Sequence, residues 1–109
     1  MNIDFTAIPE AVIPHMRGGE KEVHARMFTD GLVKIMKGSL IPGATIGLHT
    51  HDTNCEVIYI LSGTGKVLYD DGCETLGPGS CHYCPKGHCH SLINDSNGDL
   101  EFFAIIPEQ

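Results

Sequence analysis

Short runs of strand-forming residues alternate with turn residues along most of the chain. Apolar and β-branched segments of about four to eight residues are separated by Gly, Pro, Asn and Asp, as in consecutive strands joined by turns. No segment carries the helical period over about ten residues. About nine short strands joined in this way predict an all-β sandwich or barrel. The predicted strands cover residues 23–28, 33–40, 44–51, 56–61, 66–69, 73–76, 80–84, 90–93 and 100–106.

The first 22 residues differ from this pattern. Pro9, Pro14 and the pair Gly18-Gly19 interrupt regular structure, so residues 1–22 are expected to form an irregular arm that is hinged at the two glycines. Residues 23–109 contain no repeat and no linker, and are predicted to form one domain. A chain of 109 residues is long enough to bury a single core.

The charge balance is acidic. The formal net charge is −7 with only 7 Lys and Arg, which argues against nucleic acid and anionic membranes because both need basic patches. A strongly anionic substrate is less expected for the same reason, although one local Arg could still serve. No apolar run approaches the roughly 20 residues of a membrane helix.

The N-terminus and the cysteines predict a compartment. The first residues contain Asp4 and no basic region, so they do not resemble a signal peptide. The chain has 5 Cys, an odd number that disulfide pairing would leave incomplete. A cytoplasmic protein with five free thiols is the expectation.

Two histidines in one predicted strand suggest a metal site. His49 and His51 lie two residues apart, so both side chains point to the same face of a strand. A hairpin after His51 would bring Glu56 beside them, and His90 can supply a third imidazole. Imidazole and carboxylate ligands suit iron(II), manganese, nickel, copper or zinc. The alternative is that the two strand histidines simply face solvent.

The spacing around these residues resembles the two sequence motifs of the cupin superfamily, and in particular its small single-domain "cupin 2" proteins. The gap between the motifs, residues 64–78, is short, as in small microbial cupins. The first motif is matched by Gly43, His49, Thr50, His51, Glu56 and Gly63, and the second by Gly79, Pro85, Lys86, Gly87, His90 and Asn94.

This resemblance implies a cupin jelly-roll β-barrel with a metal ion inside its mouth. It makes His49, His51, Glu56 and His90 the metal ligands, for one divalent ion that is Fe, Mn, Zn, Ni or Cu. It also implies a homodimer, commonly with an N-terminal strand exchanged between protomers.

The stretch CHYCPKGHCH, residues 81–90, could instead be a zinc knuckle or a redox dithiol. Cys81 and Cys84 lie three positions apart, so in a strand their side chains point to opposite faces and cannot both bind one metal ion. No helix follows to activate a redox thiol. Both cysteines are therefore expected to be small buried hydrophobes.

The neighbouring cysteines and histidines lie outside the matched motif positions. Cys55 and Cys89 are expected to face away from the site because each is adjacent to a ligand. The roles of His82 and His88 stay open, and His15 and His24 are expected at the surface.

Residues in phase with the ligands are expected to line a mostly apolar cavity, although for most of them a place in the barrel core is favoured over contact with a substrate. Arg26 is the best candidate for clamping an anionic group, and Tyr59 and Tyr83 offer phenols. The expected lining comprises Thr45, Gly47, Ile58, Ile60, Leu92, Asn94, one of Phe102 and Phe103, and one of Ile35 and Met36.

Three functions fit these features. The leading one is a metal-dependent enzyme acting on a small organic molecule, of dioxygenase, isomerase or lyase type, in which Glu56 leaves the metal and acts as catalytic general base. The alternative is a non-catalytic cupin that binds or senses a small molecule through its metal. The third is a barrel in which the metal only ties strands together.

Overall fold

The computed structural model describes all 109 residues. It contains two 3₁₀ segments, Phe5–Ala7 and Met16–Gly18, and no longer helix. No helical segment has the length and apolarity needed to cross a membrane. The strands are β1 (Ala11–Pro14), β2 (Glu22–Thr29), β3 (Val33–Leu40), β4 (His49–Thr50), β5 (Glu56–Ser62), β6 (Gly65–Tyr69), β7 (Gly72–Leu76), β8 (Cys81–Cys84), β9 (Cys89–Ile93) and β10 (Leu100–Pro107).

The strands form two antiparallel sheets. One has the order β1-β2-β3-β10-β5-β8 and the other has the order β4-β9-β6-β7. Consecutive strands such as β4 and β5 lie in different sheets, which is the jelly-roll arrangement. The predicted all-β jelly roll is therefore confirmed.

The core lies between the sheets and follows the two-residue alternation of the strands. In β10, Leu100, Phe102 and Ala104 are fully buried, while Glu101 between them is exposed. Phe102 packs against the backbone of Gly38 on β3, where a Cβ atom would lie 2.7 Å from the end of the ring. Glycine at this position of β3 therefore makes room for the largest core side chain.

The N-terminal arm folds back on its own chain. It contains strand β1, which pairs with β2 through Ala11 and Ala25, so it is more regular than expected. The Arg26 guanidinium donates to the Phe5 and Ile8 carbonyls of the arm. The proposal that Arg26 clamps an anion in the cavity is therefore wrong, because this side chain holds the arm instead.

The expected strand 44–51 is interrupted. Only His49–Thr50 pairs as a strand, with an isolated bridge from Thr45 to Ile93. Ala44 and Ile46 are buried, whereas Thr45 and Gly47 are not. The irregular backbone between Ile46 and His49 shifts the alternation by one residue, so the expectation that Thr45 and Gly47 line the cavity was wrong.

Candidate metal centre

Four side chains from both sheets converge, with their possible ligand atoms all within 4.8 Å of one another. His49 on β4 is the register partner of His90 on β9, and His51 follows directly after β4. Glu56 is the first residue of β5 in the other sheet. The expected hairpin between His51 and Glu56 does not form, since the short connection between them crosses from one sheet to the other. It still brings the carboxylate to the imidazoles.

The distances among the four groups fit a six-coordinate cation. The His51 Nε2 atom lies 3.0 Å from Glu56 Oε1 and 3.0 Å from His90 Nε2. His90 Nε2 lies 2.9 Å from the same oxygen, and His49 Nε2 lies 4.0 Å from it. Ligand bonds of about 2.1 Å give neighbouring octahedral ligands a separation of about 3.0 Å and opposite ones about 4.2 Å, whereas a tetrahedron gives about 3.4 Å.

Hydrogen bonds on the far side of the rings orient the nitrogen lone pairs. His49 Nδ1 donates to the Gly47 carbonyl at 2.7 Å. His51 Nδ1 donates to the Asn54 side-chain oxygen at 2.5 Å. The Asn54 amide nitrogen in turn donates to Glu108 at 3.4 Å, which keeps the oxygen turned towards His51. With the protons on Nδ1, the Nε2 lone pairs of both rings point to the centre.

His82, whose role the sequence left open, lies directly behind His90. It is buried, and its Nε2 atom is 3.0 Å from His90 Nδ1. Its own Nδ1 atom is 2.9 Å from the Glu74 carboxylate at the surface. Burial lowers the pKa of His82, so its ring is neutral near pH 7.

The negative charge of the Glu56 carboxylate suits a role as a metal ligand. Burial by itself would raise the pKa of Glu56, but the adjacent His51 and His90 rings outweigh that effect and lower the pKa to about 2. The Glu56 hydrogen bond raises the pKa of His51, whereas burial lowers the pKa of His49. A general base needs a pKa near the working pH, so the lowered pKa of Glu56 favours a permanently ionised carboxylate. The catalytic role of Glu56 stays a prediction.

A small cavity opens onto the four side chains. It has a volume of about 200 Å³, and a neighbouring cavity of about 240 Å³ shares Arg17, Lys34, His51 and Ile106 with it. Of the expected lining, only Met36 contributes, while Ile58, Ile60, Leu92 and Phe102 are core. The inner cavity is lined by Met16, Arg17, Lys34, Met36, Ile46, His49, His51, Glu56 and Ile106.

Arg17 and Lys34 were not identified from the sequence. The Gly47 amide donates to the Met16 carbonyl at 3.0 Å, which holds the backbone next to Arg17 beside the cavity that its exposed side chain lines. Only the folded chain brings these two segments together, so no local signal could have found Arg17. Lys34 could have been found, because it is in phase with Met36 on β3.

The Cys-rich stretch divides as expected in most respects. Cys84 is buried and Cys81 is exposed, on opposite faces of β8. Burial of Cys81 was therefore a wrong expectation. Burial raises the pKa of Cys84 to about 12, which keeps it a thiol and disfavours metal binding beside His82 and His90. The prediction of five free cysteines is confirmed, at Cys55, Cys73, Cys81, Cys84 and Cys89.

The remaining candidates lie away from the four converging groups. His88 is partly exposed and its Nδ1 atom is 2.6 Å from Asp70 at the surface. The Cys89 amide donates to Asp70 at 3.2 Å. His24 lies between Glu10 and Glu22, and His15 is exposed. None of these side chains faces the cavity.

Comparison with known proteins gives a consistent family. The family model described as "Cupin domain" matches residues 36–106. A protein of Thermotoga maritima named "Oxalate-binding protein" is 36% identical over 101 residues, covering 86% of this chain and 83% of that protein.

Solved structures with the same fold include proteins of different activities. The crystal structure of a predicted oxalate decarboxylase from Thermotoga maritima has a TM-score of 0.93 and 30% identity, with 100% of both chains covered. A polyketide cyclase from Streptomyces resistomycificus has a TM-score of 0.80 and 21% identity, covering 98% of this chain and 78% of that one. The second likeness supports the fold alone.

Proposed function

This chain belongs to the cupin family, and on that premise we propose that it binds a small carboxylate ligand of the size of oxalate beside one divalent transition-metal ion. In this proposal, the metal is held by the converging side chains of His49, His51, Glu56 and His90. The ion is Fe, Mn, Zn, Ni or Cu, since the ligand set suits all of them.

The carboxylate part of the proposal rests on two cationic side chains. Arg17 and Lys34 line the same small cavity as three of the proposed ligands. The chain has only 7 Lys and Arg and a net charge of −7. Every ion pair within 4.0 Å involves a histidine, so neither Arg17 nor Lys34 forms a direct ion pair, although Asp30 and Glu108 line the neighbouring cavity. An anionic ligand would supply the missing partner.

The cavity has room for a small ligand. A volume of about 200 Å³ is enough for a molecule of the size of oxalate, and the neighbouring cavity of about 240 Å³ leaves room beside it. Four protein ligands leave about two positions on a six-coordinate ion. When bound, the metal acts as a Lewis acid for carboxylate oxygens. Arg17 and Lys34 then orient the remaining negative charge at the mouth. The name of the oxalate-binding relative supports this ligand class.

Calorimetric titration tests the binding function. We expect oxalate to bind tag-free protein loaded with Mn²⁺ or Zn²⁺, and not to bind after chelation of the metal. Acetate, with one carboxylate, should bind at least tenfold more weakly. Equal oxalate affinity with and without metal, or no affinity in either state, would contradict the proposal.

Lyase chemistry is a second candidate, because a structural relative is described as a predicted oxalate decarboxylase. Oxalate would take up one proton and give formate and CO₂. In the inner cavity every carboxylate and imidazole is a proposed metal ligand, which leaves only Lys34 as a proton donor other than the guanidinium of Arg17. This scarcity favours binding over turnover. Carbon-13 NMR of labelled oxalate with the loaded protein separates the two, because formate appears only if the protein is a lyase.

The assembly and location are also part of the proposal. Tyr59, Leu61 and Tyr83 expose apolar surface on the outer face of β5 and β8, which would suit a homodimer contact. Light scattering after size exclusion tests this, and a monomer would contradict it. The five free thiols suit the cytoplasm.

A further inference from the structure

Three consecutive strands bring a surface carboxylate into contact with the metal centre through a buried histidine. Glu74 lies on β7, His82 on β8 and His90 on β9. Glu74 Oε1 is 2.9 Å from His82 Nδ1, and His82 Nε2 is 3.0 Å from His90 Nδ1. His82 and His90 are only 2% and 1% exposed. The three side chains therefore form a continuous line from solvent to a proposed ligand.

Each contact in this line determines which nitrogen carries a proton. An ionised carboxylate only accepts hydrogen bonds, so His82 must donate from Nδ1 to Glu74. A neutral ring has one donor, so His82 Nε2 is an acceptor. His90 must then donate from Nδ1, which leaves the lone pair of His90 Nε2 facing the centre.

The surroundings of His82 offer no other strong acceptor for its Nδ1 proton. Its ring stacks on His90, with centroids 5.2 Å apart, and lies nearly perpendicular to the ring of Tyr69, with centroids 5.4 Å apart. Its register partner on β5 is the apolar Ile58. Glu74 is therefore the group that selects the tautomer of His82.

We propose that Glu74 and His82 are positioning residues of the metal centre, which hold the proton of His90 on Nδ1 and keep His90 Nε2 available to a metal ion. The inference rests on the metal site of the proposed function and assigns a role to two residues outside the ligand set. Carboxylate–histidine pairs behind metal ligands fix the tautomer and raise ligand basicity in the same way.

Removal of the Glu74 carboxylate should change which nitrogen of His82 carries the proton. In a Glu74→Ala variant, His82 is free to carry its proton on Nε2 and donate it to His90 Nδ1. His90 would then hold its proton on Nε2, where a metal ion must displace it. We expect Co²⁺ affinity, measured by calorimetric titration of tag-free protein, to fall by about 10- to 100-fold, the usual range for such partners. Glu74→Gln keeps an oxygen acceptor and should recover most of the loss.

A matched control removes the same charge elsewhere. Glu101 lies on the surface of β10 and accepts a hydrogen bond from Ser62 at 2.7 Å. Glu101→Ala should bind Co²⁺ within twofold of the wild type. Equal losses in Glu74→Ala and Glu101→Ala would overturn the inference, because they would indicate a general charge effect. Unchanged affinity in Glu74→Ala would overturn it as well.

Nitrogen-15 NMR of the histidine rings in metal-free protein gives a readout that a merely structural role would not move. We expect His82 in the Nδ1–H form in the wild type and in the Nε2–H form in Glu74→Ala. The Nε2–H form in the wild type would overturn the inference. This measurement needs no metal, so it separates failure of the positioning role from failure of the proposed metal binding, in which the wild type would not bind Co²⁺.

Discussion

The Nε2 atom of His51 lies 3.0 Å from the Nε2 atom of His90, although 39 residues separate them along the chain. Both nitrogens also face the same oxygen of Glu56, at 3.0 and 2.9 Å. Lone pairs that meet at such distances repel one another unless a cation lies among them. We expect a proton on one ring to fill this role in the metal-free protein, and the metal ion to fill it in the proposed loaded protein.

Metal binding should therefore release a proton. The hydrogen bond to Glu56 raises the pKa of His51 above its ordinary value, so this ring is the first to compete with the metal as the pH falls. We expect Zn²⁺ affinity to decrease by about tenfold per pH unit below that pKa, as one proton is displaced. Titrations at about pH 6.5 in two buffers of different ionisation enthalpy measure the proton directly. Identical heats in both buffers would contradict this prediction.

The stability of the metal-free protein should fall towards both low pH and high pH. The pKa of Glu56 is lowered from 4.5 to about 2, so its contribution is present above 4.5 and lost as the pH falls towards 2. The pKa of His51 is raised from 6.5, so its contribution is present below 6.5 and lost as the pH rises through the raised value. These two contributions are both complete between about pH 4.5 and 6.5, whereas the lowered pKa values of His49 and His82 reduce stability below pH 6.5.

Melting curves of chelator-treated protein across pH test this window. Glu56→Gln should flatten the acid limb, whereas Glu101→Gln, at the surface of β10, should leave it unchanged. Added Zn²⁺ should move the optimum to higher pH, since the metal replaces the proton. An acid limb that is as steep in Glu56→Gln as in the wild type would show that other groups cause it.

Removal of the cationic side chains that line the cavity should weaken oxalate binding and should not weaken metal binding. Hydrogen bonds to charged groups contribute about 1.5–3 kcal/mol, so Lys34→Ala should weaken oxalate binding by about 10- to 100-fold. The loss of oxalate affinity in Arg17→Ala should lie near the lower end of this range, because Arg17 is exposed. Metal affinity should stay the same or increase, because a positive charge near the site is removed.

Lys86→Ala is the control for these variants, since Lys86 binds the C-terminal carbonyl of Gln109 at the surface. Calorimetric titration of oxalate into Mn²⁺-loaded variants gives the comparison. Oxalate affinities of Lys34→Ala and Lys86→Ala that agree within twofold would contradict the carboxylate site.

The cysteines should be dispensable for the metal. Cys81→Ser and Cys84→Ala should each retain about one metal ion per chain, because Cys81 faces solvent and Cys84 is a buried thiol. Cys84→Ala should lower the melting temperature slightly, as it removes a small buried group from the core. Elemental analysis checks the stoichiometry. Loss of the metal in Cys84→Ala alone would indicate a site formed with His82 and His90.

Local patterns in the sequence predicted most of this molecule. Strand β3 begins and ends as expected, at Val33 and Leu40, because its alternation and flanking turns are local features. The spacing of His49, His51, Glu56 and His90 matched known motifs, and the structure brings these four side chains together.

The features that the sequence did not predict depend on contacts between distant segments of the chain. Arg17 reaches the cavity only because Gly47 binds the backbone of Met16. His82 faces inward because the register of β5 and β8 places it opposite the buried Ile58. Neither pairing leaves a signal in a local window of sequence, so the sequence could not determine the roles of these residues.

The metal content of the protein tests the central claim most directly. Tag-free wild-type protein and a His49→Ala/His51→Ala variant should be purified together and measured by elemental analysis. The account predicts about one transition-metal ion per wild-type chain and none in the variant. Metal that persists in the variant would contradict the account and move the site to the stretch from Cys81 to His90.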